Sequence, residues 1–113
     1  MPGNHSEWAF RIPAAKIPRS PTGAWQVYAV VRIEPNVAAK LDSMAFFAGV
    51  YDNAAKDYPA NAKFSISEAS KEFRSYLVGT FEPGADRDIF VSPAGNADAS
   101  AVWVDRVVLV PRR

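Results

Sequence analysis

The stretch AWQVYAVVRIE, residues 24–34, decides the fold class. Trp25, Val27, Ala29, Val31 and Ile33 fall on one face of an extended chain, and Gln26, Tyr28, Val30, Arg32 and Glu34 fall on the other. A period of two is the signature of a strand. The second face mixes polar and aromatic groups, as a half-exposed sheet surface does. Gly23 precedes the run, and Pro35, which has no backbone donor, stops it.

The same reading extends in both directions. Toward the N-terminus, Ser6–Ile12 alternates Trp8, Phe10 and Ile12 against Glu7, Ala9 and Arg11. Pro13, Pro18 and Pro21 then make 13–23 a surface connection or sheet-edge segment. Toward the C-terminus, Asn36–Ser43 has room for one helical turn, too short to stand alone. Met44–Tyr51 is apolar on both faces, which predicts a central strand, and its Gly49 predicts a bulge or a close neighbour. Residues 52–61, with Tyr58-Pro59, read as a long polar loop, followed by a short strand at Lys63–Ser67. Glu72–Phe81 alternates Phe73, Ser75 and Leu77 against Arg74, Tyr76 and Val78. After the Glu82-Pro83-Gly84 turn come a short strand at Asp88–Val91, a loop over 92–100 and a last strand at Ala101–Val110, ended by Pro111. Seven strands without a convincing helix predict an all-β antiparallel sandwich. A parallel sheet would need several long crossovers, and the chain has no place for them.

Composition narrows the chemistry. A chain of 113 residues suits one domain, and 49% hydrophobic against 22% charged residues is an ordinary globular balance. A formal charge of +1 argues against nucleic acid or an anionic membrane as partner. The absence of cysteine excludes disulfides, thiolate zinc sites and a cysteine nucleophile. The one histidine, His5, lies near the N-terminus, outside any good triad or multi-histidine metal site. No apolar run approaches the ~20 residues of a membrane-spanning helix. Asn4-His5-Ser6 fits a glycosylation sequon, a pattern short enough to arise often by chance.

In their order, WQVYAVVR (25–32), FAGVYD (47–52), FRSYLVGTF (73–81), DIFVSPAGN (88–96) and VWVDRVVL (102–109) resemble successive strands of galactose-binding-like jelly rolls. The closing segment, with an aromatic, an aliphatic, an Asp and then alternating apolar residues, is the most specific. The whole, over residues 6–110, is similar to small β-sandwich domains at the C-terminus of bacterial glycoside-hydrolase-like proteins, including α-glucuronidase-like ones. The resemblance implies a non-catalytic carbohydrate-binding module, extracellular or periplasmic, acting on a plant or microbial polysaccharide or oligosaccharide beside a catalytic domain. Many such domains also bind a structural calcium; none is required here, but Glu7 and Asp105 stand where they could contribute to one, the alternative being an Asp105 hydrogen-bonded to backbone and a solvated Glu7. Calcium takes six to eight oxygens, and two carboxylates supply only part of that shell. The chain offers fewer strands than many such jelly rolls.

Sugar binding needs a flat ring for the apolar C–H face and polar groups at its rim. Trp25 and Trp8 share faces with aliphatic residues and read as core, while Trp103 lies on a strand apolar on both faces and fits either role. Tyr28 with Arg32, and Tyr76 with Arg74, are the platform candidates: a ring, a hydroxyl and a guanidinium fork suited to a uronate carboxylate. Tyr51, Asp52 and Asn53 open the 52–61 loop, where jelly-roll modules often place sugar-binding groups, and Asn96 and Asp98 lie in the 92–100 loop. Against these stand plain outward faces, on which Arg stems cover Tyr rings, and turn-forming Asn and Asp. Glycoside cleavage would need two paired carboxylates, one with a raised pKa, and the acidic residues here sit mostly beside turns. The competing expectation is a structural sandwich that docks on a neighbouring domain or dimerises, betrayed by an exposed apolar patch.

Overall fold

The computed structural model describes residues 10–35, 40–93 and 99–112, with only the backbone at 99 and 100. Among these residues seven strands form two antiparallel sheets: β1 (Phe10–Ile12), β2 (Trp25–Pro35), β3 (Met44–Asp52), β4 (Asp57–Ser65), β5 (Arg74–Phe81), β6 (Arg87–Pro93) and β7 (Ala99–Pro111). One sheet runs β1-β6-β3-β4 and the other β5-β2-β7. Two long-range pairings are nested: β2 with β7 encloses β3 with β6. The all-β sandwich expected from the alternation is what forms. A single 3-10 turn, Ala14–Lys16, interrupts the proline-rich connection.

The core lies where the two inner faces meet. Val27, Ala29, Val31 and Ile33 of β2 face Phe46, Ala48 and Val50 of β3 and Ile89 and Val91 of β6, all of them buried. Phe46 stacks on Phe64 of β4 at 4.8 Å between centroids and meets Tyr76 of β5 edge-on at 5.4 Å. Trp25 is core, as its register implies. Its indole N–H donates to the Pro18 carbonyl at 2.9 Å, so the proline-rich connection closes over one end of the sandwich. Trp8 and the start of the first expected strand lie outside the described residues, as do 36–39 of the expected helical turn.

Three of the five register shifts among the described strands bear on which side chains reach the surface. On β7, Val30 pairs with Arg106 and Val31 with Val104, leaving Asp105 as an extra residue. On β5, Val27 pairs with Gly79 and Tyr28 with Leu77, which makes Val78 the extra residue. On β4, Val50 pairs with Ala60 and Asp52 with Asp57, so Tyr58-Pro59 carries the extra one. Each such bulge switches the face of everything beyond it.

The expected long loop over 52–61 is corrected. Residues 53–56 make a tight turn and β4 begins at Asp57. Asp52 Oδ1 accepts from the backbone N–H of Ala54 and Ala55 at 3.0 and 2.9 Å, and Lys56 takes the left-handed conformation (φ 56°) that closes the reversal. Pro59 is tolerated because it sits at a bulge on a strand that borders the sheet. Gly49 has the close neighbour its position predicts: a Cβ there would lie 2.3 Å from the Ala60 carbonyl oxygen.

Candidate functional site

The sugar-binding candidates separate by sheet. Tyr28, Arg32 and Trp103 share the outer face of the three-stranded sheet. On β2 the inward row is odd-numbered, so Tyr28 and Arg32 point away from the core, about 13 Å apart along the strand. Trp103 is Arg32's direct partner on β7, and Phe73 stands just ahead of β5 on the other side. The Arg32 guanidinium carbon lies 3.8 Å from the Trp103 ring centroid and 5.5 Å from that of Phe73. Cation–ring contact within about 6 Å is attractive, and here one guanidinium makes it with two rings. Among the described residues Arg32 forms no ion pair and no hydrogen bond, so its N–H donors remain for a ligand. Phe73 and Trp103 are 46% and 40% exposed. Leu77 (51%), Val108 and Val110 continue the open face.

Tyr76 and Arg74 do not belong to this surface, which corrects the face expected for them. The alternation along 73–78 is as read, but its sense is reversed. Phe73, Ser75 and Leu77 point outward, while Tyr76 points in against Phe46 and Phe64. The Tyr76 hydroxyl is buried without a well-formed hydrogen bond. Burial pushes its pKa up, with Arg74 and the Ser70 backbone opposing. Arg74 is exposed at the start of β5, opposite Val31.

Tyr51, Asp52 and Asn53 sit at the end of β3, on the other sheet. Tyr51 packs against Tyr58 at 5.0 Å and Tyr58 against Phe90 at 5.7 Å, so this outer face has an aromatic row of its own. Asp52 and Asn53 are engaged in holding the turn. Asp52 Oδ2 accepts from Arg87 Nε at 3.0 Å, and the Asp52 carboxyl is held below the ordinary range by the Ala55 N–H, then by Arg87. Asn53 Nδ2 donates to the Asp86 carbonyl and to Asp88 Oδ2, at 2.9 and 3.0 Å.

Asp88 is the anchor of this end. It is 3% exposed, yet Oδ2 accepts from Arg11 Nε and Nη2 at 3.0 and 2.7 Å, and Oδ1 from the Ala14 N–H at 2.7 Å. Burial alone would raise its pKa; the hydrogen bonds from Arg11, Asn53 and Ala14 outweigh that and hold it below the usual value. Sequence reading gave Asp88 no role, since a lone Asp at a strand start has no mark of burial.

Asp105 is exposed in the β7 bulge, its carboxylate 3.7 Å from Arg106 Nη1. Glu7, Asn96 and Asp98 lie outside the described residues. Among the described residues no three His, Cys, Asp or Glu side chains converge as a metal-ligand group. A cleft of about 470 Å³ between the 14–19 segment and the 83–85 turn has Arg19 as its one charged wall. No helix among these residues is long and apolar enough to cross a membrane. Compared with protein-family models, curated proteins and solved structures, the chain matches none.

Proposed function

We propose that this sandwich is a non-catalytic carbohydrate-binding module, and that its ligand is an acidic polysaccharide. The observation that carries the reading is the Arg32 fork, paired with no anion among the described residues and held between the rings of Trp103 and Phe73 on an open sheet face. Exposed rings offer surface to the C–H face of a sugar, and a fixed guanidinium suits a uronate carboxylate at its rim. Tyr28, farther along the same row, extends the platform toward a neighbouring residue of the glycan. The shifted carboxylates Asp52, Glu68 and Asp88 all move downward, which suits hydrogen-bonded anions and not a general acid.

Affinity electrophoresis through gels containing polygalacturonate, alginate, xylan or cellulose derivatives tests the proposal. Retardation by the uronate polymers, weakened by added salt, supports it. Unretarded migration in all of them favours the second reading, a docking module, for which exposed Leu77, Val108 and Val110 on the same face speak.

A further inference from the structure

β7 borders its sheet, pairing only with β2 among the described strands. Its inward residues Val102, Val104, Val107 and Leu109 pack on the core but stay half-exposed, whereas those of β2 are sealed. On the opposite border, Val78 of β5 is buried. Among the described residues no strand covers this side of the sandwich, and it is the side with the longest described strand.

We propose that β7 pairs antiparallel with β7 of a second copy of this chain, about a two-fold axis between Asp105 and Arg106. Faces make the first argument. In a regular strand, odd and even residues lie on opposite faces, and a two-fold axis between adjacent residues would set each residue against the wrong one. The Asp105 bulge removes that conflict. Ala101 and Trp103 point outward before it, Arg106, Val108 and Val110 after it; Val102 and Val104 point inward before it, Val107 and Leu109 after it. Pairing about this axis sets Trp103 against Val108, Val104 against Val107, and Val102 against Leu109, so outward meets outward and apolar meets apolar.

Charge makes the second argument. The same register places Asp105 of each copy opposite Arg106 of the other, twice in one interface, as an isologous contact requires. Within one chain that pair is long, at 3.7 Å, and both side chains are exposed, so the groups are available to exchange partners. Moving the axis one residue toward the N-terminus sets Asp105 against Val104 and loses the pairing. The bulge thus selects this register for strand addition by a second copy. The interface includes Trp103 of the Arg32 clamp, but the residues that test it, Asp105 and Arg106, lie outside that clamp.

Sedimentation velocity on the full chain, run as a concentration series, reads the oligomeric state. The wild type is expected to shift reversibly from monomer to dimer as concentration rises. Asp105→Arg makes both cross-pairs like-charged and should weaken the dimer by about a hundredfold or more. Arg106→Asp should do the same by the opposite sign. The double exchange, Asp105→Arg with Arg106→Asp, should restore it. Circular dichroism verifies that each variant is folded, as substitutions at exposed positions should be. A wild type that stays monomeric throughout, a dimer indifferent to the single substitutions, or a folded double exchange that remains monomeric would each overturn the proposal.

Discussion

Arg32 of β2 lies over the ring of Trp103 of β7, its guanidinium carbon 3.8 Å from the indole centroid, and the two residues are direct cross-strand partners. Neither could hold this geometry alone. A long arginine on an open sheet face would sample many rotamers, and an exposed indole beside it would cover its neighbours. Together with Phe73 they fix one fork between two rings, at the cost of side-chain entropy that the stacking offsets.

Trp103→Ala is therefore expected to cost about 0.5–1 kcal/mol of stability from the lost ring contact at this exposed site. Its effect on retention by uronate polymers should be much larger, because the platform and the ordering of Arg32 go together. Phe73→Ala should weaken retention less, its ring lying farther from the guanidinium at 5.5 Å. Chemical denaturation and affinity electrophoresis on the same preparations separate the two effects.

Asp88 predicts an acid limit to stability. Its folded pKa is depressed, so its contribution is complete above the ordinary aspartate value and fades as pH falls through the lower folded value. Asp88→Ala leaves the Ala14 N–H and the Arg11 fork without their acceptor and should cost about 1–3 kcal/mol. Denaturation midpoints measured down the acid range should fall for the wild type and change less for the variant.

Gly49→Ala should destabilise by about 1–3 kcal/mol, since the added methyl meets β4 backbone and not a side chain that can turn aside. Thermal unfolding by circular dichroism reads this directly. An unchanged midpoint would mean that β4 can move away from β3 freely.

Tyr76→Phe should leave stability unchanged or raise it, because it removes a buried hydroxyl that lacks a good partner while keeping the ring against Phe46 and Phe64. Glycan retention should be unaffected, in contrast to Trp103→Ala. Loss of retention in Tyr76→Phe would move the site away from the outer face.

β2 was legible because its alternation runs unbroken between Gly23 and Pro35, and its inward row is the core row of the structure. β4 was not, because Pro59 and its polar neighbours read as loop, and only the bulge at the sheet border makes a proline tolerable there. Tyr76 reads on the opposite face from the one it takes for a related reason. Leu77 and Val78 are equally apolar, so nothing local says which row turns inward, and Gly79, the one mark of the bulge at Val78, does not decide it either. The pairing of Arg32 with Trp103 depends on register between strands far apart in sequence, which periodicity cannot supply. Phe73 and Tyr58 were missed for the same reason, although a large ring beside a strand end was the signal that could have drawn attention to each.

The most direct test of the central claim is calorimetric titration of the wild type with an oligogalacturonate and with its methyl-esterified counterpart, which keeps the sugar rings but removes the carboxylate charge. The fork between Trp103 and Phe73 predicts measurable binding of the acid form, much weaker binding of the ester, and loss of the acid's advantage in Arg32→Lys, which retains charge without the planar fork. Equal binding of acid and ester, or no binding of either, would contradict it.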